Sequence, residues 1–172
     1  KEISLRQAYE EWGITNNQPW PLVDYLSRAY EDYKFGERRF DFTDMLLLFL
    51  ELADSTCPTF DTVFVDEAQD LSKIQWHVVH KLAEKTANRV IVAGDDDQAI
   101  FRWAGADVEQ FLGLDGASEV LATSWRIPRK VHALAENVVS RVEGRLPKVY
   151  QPQGIEGSVQ YINGIESVLT DM

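Results

Sequence analysis

Apolar positions in the first forty residues recur at helical spacing. Leu5, Ala8, Tyr9 and Trp12 lie three and four apart, which predicts a short amphipathic helix. Leu22, Tyr25, Leu26, Ala29, Tyr30 and Tyr33 repeat the spacing behind Pro21, a residue suited to a first helical turn. The segment KFGERR, 34–39, is expected to end that helix. A third helix should start near Asp41 and carry the block MLLLFL, 45–50, on most of its faces, which predicts deep burial. The period then shortens. TVFV (62–65), RVIVAG (89–94), EVLAT (119–123) and GSVQYI (157–162) read as strands. Ile74, Val78, Val79 and Leu82 mark a helix capped by Ser72. Val131, Leu134, Ala135, Val138 and Val142 mark another, opened by Pro128, and residues 165–172 start a last one. Strands alternating with helices predict an α/β fold in which a parallel sheet is flanked by helices, with a helical segment at the N-terminus. Continuously apolar strands predict burial on both sheet faces. The stretch 144–157, rich in Gly and Pro, is expected to be a long connection and a domain boundary.

The totals narrow this picture. At 172 residues and 45% hydrophobic, the chain can build one domain core, or one core and part of another. No apolar run approaches the roughly 18 residues a membrane span needs, and no secretory pattern opens the sequence. Cys57 stands alone, so no internal disulfide forms, and a cytoplasmic setting is the expectation. A formal net charge of −11 argues against gripping nucleic acid with the whole surface. Any such contact must be local and rely partly on stacking. His77 and His80 lie on one helix face, but no Cys or carboxylate set accompanies them, so a packed or surface pair is the reading.

The chemistry gathers at strand ends, where open parallel sheets bind ligands. TVFVDEAQDLS, 62–72, runs from a strand into Asp66 and Glu67. Side chains of adjacent extended residues diverge, so one acid can help hold magnesium and the other can activate a water against a phosphate. The plainer alternative is a turn cap beside a solvated glutamate. VIVAGDDDQAIFRWAGA, 90–106, repeats the arrangement. Gln98 can reach a phosphate oxygen or a water, and Phe101 and Trp103 can stack on bases or pack in a core. ATSWRIPRKV, 122–131, places Trp125 and Arg126 directly after the third strand; an arginine there can approach a transferring phosphoryl group, or sit at the surface beside a helix start.

These strings, in this order and spacing, resemble the UvrD/Rep-type DNA helicases of superfamily one over most of residues 40–165. FDFTDMLLLFLEL resembles the segment before motif II, and VFVDEAQD resembles motif II, the Walker B element. VAGDDDQAIFRWAGAD resembles motif III, and LATSWRIPRKV resembles motif IV. RLPKVYQPQGIEGSVQYI resembles the entry to a second RecA-like domain. The resemblance implies a partial RecA-like P-loop NTPase fold. It implies that Asp66 supports magnesium, Glu67 activates the hydrolytic water, and Gln98 senses the γ-phosphate and couples it to DNA. Trp103, Phe101 and Arg102 would lie near single-stranded DNA. Trp125 would stack on adenine where the family usually has tyrosine, and Arg126 would contact the γ-phosphate. The implied activity is ATP hydrolysis driving movement along single-stranded DNA and duplex separation, with 3′ to 5′ polarity.

Three departures shape the expectation. No glycine here is followed by lysine, so the Gly-x-x-x-x-Gly-Lys phosphate loop is missing. The later helicase motifs are missing too. Ala104 stands where the family usually has arginine, and Arg102 where a small residue is common. The expectation is an internal piece of a longer helicase, bacterial or phage-encoded, that does not hydrolyse ATP alone. In it, residues 1–40 belong to a helical insertion, 41–123 to part of the first RecA-like domain, and 124–172 to motif IV and the start of the second. Its partners would be ATP, single-stranded DNA and the rest of the helicase, with no membrane. Two alternatives are a catalytically silent helicase-like module that binds single-stranded DNA or a protein, and an unrelated Walker-B ATPase.

Overall fold

A computed structural model describes residues 4–12 and 18–161. Three helices come first: α1 (Leu5–Trp12), α2 (Trp20–Glu37) and α3 (Phe42–Thr56). Pro21 sits in the first turn of α2, where its missing N–H leaves no bond unmade. The helix continues through Gly36 to Glu37, past the point where KFGERR was expected to break it. Arg38, at φ 53°, ends it, and the Arg39 N–H returns to the Lys34 carbonyl at 2.8 Å. The chain turns directly into α3 through a reciprocal cap. Asp41 Oδ1 accepts from the Asp44 N–H at 2.9 Å, and Asp44 Oδ2 accepts from the Asp41 N–H at 3.0 Å. The Lys34 ammonium is buried against both carboxylates, at 3.0 and 2.9 Å, and locks the corner.

Beyond α3 lies a βαβ unit: β1 (Phe60–Val65), α4 (Lys73–Glu84) and β2 (Thr86–Val92). The two strands pair in parallel, with Val63 beside Val90, Phe64 beside Ile91 and Val65 beside Val92. Parallel neighbours need a crossover, and α4 supplies it. Ser72 caps α4, its N–H donating to Gln75 Oε1 at 2.8 Å. The α4 residue Trp76 is fully buried, as is Ala53 of α3. Lys81 of α4 meets Asp54 of α3 at 2.9 Å, which fixes the two helices at that end.

Four expectations are corrected here. The sheet has two strands among the described residues. Residues 119–123 form no strand; a single parallel bridge, Thr123 to Gln151, is all that 119–123 contributes. Residues 157–161 form none either, and the carbonyls just before them serve another element. Those of Ile155 and Glu156 accept the N–H groups of Arg129 and Lys130 at 3.0 Å each and cap α6 (Arg129–Val139), which ends before Val142. The sheet is also not covered on both faces: Phe64 is 74% exposed and Ile91 lies on the same open side. Nor is α3 deeply buried. Met45, Leu47, Leu48 and Leu52 are all substantially exposed, since a two-stranded sheet and one crossover helix can cover only one side of it. The helix expected over 165–172 lies outside the described residues.

Between β2 and α6 the chain makes two single-turn helices, Asp96–Gln98 and Arg102–Ala104, and the short α5 (Val108–Leu112). Val108 is buried, and the Asp107 N–H donates to the Leu71 carbonyl at 2.8 Å, returning this stretch to the loop after β1.

Candidate nucleotide-site loops

The parallel pairing of β1 and β2 brings their carboxyl ends side by side. The ladder runs past both strands: the Ala93 N–H donates to the Val65 carbonyl at 2.8 Å, and the Ala68 N–H donates to the Ala93 carbonyl at 3.0 Å. Asp66 and Glu67 sit between those two bonds and are exposed. Asp66 Oδ1 accepts from the Glu67 N–H at 2.9 Å. Glu67 takes a left-handed backbone, φ 51° and ψ 40°, which a non-glycine residue adopts only when its surroundings hold it there. A single-turn helix, Ala68–Asp70, follows.

Gln69 joins the two strand ends. Its side chain is buried, its Nε2 donates to Glu67 Oε2 at 2.8 Å, and its Oε1 accepts from the Asp95 N–H at 2.9 Å. Gly94 makes room for it, since a Cβ there would stand 2.7 Å from Gln69 Oε1. Asp95 in turn accepts from Gln98 Nε2 at 2.7 Å through Oδ2. Glu67, Gln69, Asp95 and Gln98 therefore form one hydrogen-bonded chain, with Gln98 exposed at its end. Asp70 Oδ1 is buried with no partner among the described residues.

The aromatic residues stand further out. Trp103 is 73% exposed, and its ring centroid lies 6.5 Å from that of Phe101, with the planes tilted. Arg102 Nη1 donates to Glu109 Oε1 at 2.7 Å across an exposed pair. Trp125 is 83% exposed, and Arg126 is exposed beside it. Their loop is tied to 151–153: the Ser124 N–H donates to the Gln151 carbonyl at 2.8 Å, and Gln153 Nε2 donates to the Arg126 carbonyl at 2.9 Å. No hydrogen bond or ion pair among the described residues joins Trp125 or Arg126 to Asp66, Glu67 or Gln98. The first two loops form one unit; the third connects to them through the segment after α6.

That segment carries two cations to which the sequence motifs assign no role. Arg145 holds Asp97 with two nearly parallel bonds, at 2.7 and 2.6 Å. Lys148 Nζ, 6% exposed, contacts Asp95 Oδ1 and Asp96 Oδ1 and lies 3.3 Å from Asp97 Oδ2. Burial works against the charged form of Asp95, but hydrogen bonds from Gln98 and Lys148 outweigh it and hold the carboxyl below its ordinary range. Burial likewise pulls the Lys148 ammonium down, and Asp95 and Asp96 outweigh it, leaving the group above its ordinary value. Three consecutive aspartates facing an Arg-x-x-Lys some fifty positions on were the available signal.

The family of helicases enters through comparison as well as motif. Residues 2–118 match the family model described as UvrD/REP helicase N-terminal domain. The chain belongs to this family. It is 30% identical over 155 residues to the ATP-dependent DNA helicase PcrA of Bacillus subtilis, covering 81% of this chain and 21% of that protein. It is 31% identical over 170 residues to DNA helicase II of Salmonella typhimurium, covering 91% of this chain and 23% of that protein, and 30% identical over the same length to DNA helicase II of Escherichia coli. The chain thus spans about a fifth to a quarter of these curated relatives. Within the UvrD/REP family match lie both carboxylate loops with Phe101 and Trp103, while Trp125, Arg126, Arg145 and Lys148 fall beyond it.

Magnesium and nucleotide can be tested against the donor set. Among the described residues no cluster of three or more His, Cys, Asp or Glu side chains is arranged to hold a metal. Magnesium on a nucleotide takes most of its ligands from phosphate and water and needs one or two carboxylates. An exposed Asp66 at the sheet's carboxyl end fits that need.

Proposed function

We propose that this chain supplies the water-activating and phosphate-sensing part of an ATP-driven helicase that moves along single-stranded DNA and separates duplexes. The observation that carries the reading is the Gln69 bridge, which holds Glu67 and Gln98 at neighbouring strand ends through one bonded chain. In this reading Asp66 holds magnesium, which neutralises phosphate charge when bound. Glu67 accepts the proton of the attacking water, its carboxylate held through Oε2 by the buried Gln69 amide. Gln98 offers an amide to the γ-phosphate. Arg126 adds positive charge to the same phosphate once its loop approaches, and Trp125 stacks on the adenine. Trp103, with Phe101 and Arg102 beside it, meets single-stranded DNA, where an exposed indole suits stacking on bases of any sequence.

The reading keeps the division of the chain into a helical insertion (1–40), part of a first RecA-like domain (41–123) and the start of a second (124–172). It makes the remaining helicase segments, including a phosphate loop, necessary partners, and it places the protein in a bacterial or phage-infected cytoplasm. The family assignment and the names of the relatives support it. No helix among the described residues is long and apolar enough to cross a membrane.

The test is hydrolysis by the full-length helicase, with this isolated chain as the inactive control. Glu67→Gln should lower DNA-stimulated turnover by about 10²–10⁴, the range for a lost general base, while ATP still binds. Turnover by the isolated chain that Glu67→Gln abolishes, or full activity in the full-length variant, would overturn the reading.

A further inference from the structure

We infer that Lys148, on the segment after α6, is a positioning residue for hydrolysis: by gripping Asp95 it sets the Gln98 amide and, through Gln69, the Glu67 carboxylate. The inference rests on the nucleotide-site reading above and adds to it a residue from outside the matched family region.

Asp95 is the junction. Its Oδ1 faces Lys148, its Oδ2 accepts from Gln98 Nε2 at 2.7 Å, and its N–H donates to Gln69 Oε1 at 2.9 Å. Each bond constrains a different direction; the Asp97 N–H also donates to Oδ1 at 3.2 Å, but Lys148 is the charged partner that meets that oxygen and keeps Oδ2 turned to Gln98. Gln98 is otherwise an exposed amide on a single-turn helix, with no other side-chain bond among the described residues. The grip is also electrostatic. Asp95, Asp96 and Asp97 crowd one short turn, and Lys148 touches all three while Arg145 takes Asp97 alone. Without the ammonium, the carboxylates of Asp95 and Asp96 repel, and the buried Asp96 must seek water. Asp95 then leaves Gln98, and its backbone shifts against Gln69. The Leu146 N–H, which donates to Asp96 Oδ2 at 2.8 Å, holds the turn in place but cannot neutralise it.

Arg145 gives an internal control. It is part of the same clamp, but it does not touch Asp95. A purely structural clamp would make both residues matter in proportion to the folded fraction. A positioning role separates them. In the full-length helicase, Lys148→Met should lower kcat for DNA-stimulated ATP hydrolysis by about tenfold to a hundredfold, as for a catalytic group displaced by about an ångström. The KM for ATP should stay within about twofold, because uniform binding is not what is lost. Arg145→Met, corrected for its folded fraction by thermal melting, should keep the parental kcat. Lys148→Arg, which retains the charge with a different head geometry, should fold as the parent does and lose part of kcat at unchanged KM.

Equal kcat loss in Lys148→Met and Arg145→Met overturns the inference, as does a parental kcat in Lys148→Met. If Lys148→Met does not fold, Lys148→Arg decides: reduced kcat at constant KM supports the role, and parental kcat overturns it. Glu67→Gln measured alongside separates the two levels. Activity surviving in Glu67→Gln sinks the functional reading itself, whereas its loss together with a parental kcat in both Lys148 variants sinks only the role of Lys148.

Discussion

Residues at the two strand ends act as a set because Gln69 spans them. Gly94 lets it do so: a methyl group there would meet Gln69 Oε1 at 2.7 Å and the Phe111 ring at 3.0 Å. The amide end of Gln69 can swing away, so the clash itself is cheap, but the swing leaves the Asp95 N–H without its acceptor. Gly94→Ala should therefore destabilise by about 1–3 kcal/mol, the penalty of an unsatisfied polar group. Gln69→Leu, which also loses the bond to the exposed Glu67, should lie at or above the top of that range, and the double variant should cost little more than it, because both leave the Asp95 N–H without its acceptor. Urea melts of the four proteins check this, and additive losses would refute the shared cause. Glu67 and Gln98 were both named from sequence. The role of Gln69 was not, since an amide within AQD says nothing of burial until two strand ends are placed side by side.

Among the elements, the β1–α4–β2 unit holds the site, and α4 holds the unit. Trp76 lies fully buried on α4, with its indole N–H unpartnered among the described residues. Trp76→Ala should cost about 3–5 kcal/mol, typical of removing a large buried aromatic. The urea midpoint should fall with an unchanged slope; a shift below about 1 kcal/mol would mean that α4 is not the anchor. The periodicity marked both strands, α4 and α6 well, since each pattern is local. It overstated residues 119–123 and 157–161, where β-branched residues occur without a neighbouring strand to accept their backbone groups. It also overstated the burial of α3. An apolar face shows what a helix can bury, but the elements available to cover it decide what is buried.

Across the whole molecule, the clamp from Arg145 and Lys148 links the stretch after α6 to the loop after β2, over a sequence separation of about fifty residues. The folded pKa of Asp95 lies below its unfolded value, so its contribution is present above the unfolded pKa and lost as pH falls through the folded one. Lys148 is shifted upward, so its contribution is complete below its unfolded pKa and lost only as pH rises through the folded value. These two groups together predict a contribution that is flat from about pH 5 to about pH 10 and falls below about pH 4. Stability measured by urea against pH should show that acid loss in the parent, and Asp95→Asn should flatten part of it. An unaltered acid profile in Asp95→Asn would remove Asp95 from the account.

The amino-acid sequence by itself determined the local grammar of this protein. Helix spacing, two apolar strands, carboxylates directly after each, and the exposed-loop aromatics are all set by neighbours a few residues away, and the motifs built from them identify the helicase family. Tertiary structure alone decided which groups meet. Glu67 reaches Gln98 only through a buried Gln69 and a backbone N–H in the loop after the next strand, and three aspartates find their cations on a segment half a hundred residues later. Pairings of this kind depend on how strands and loops are brought together in space, and a pattern read along the chain carries no term for distance across it.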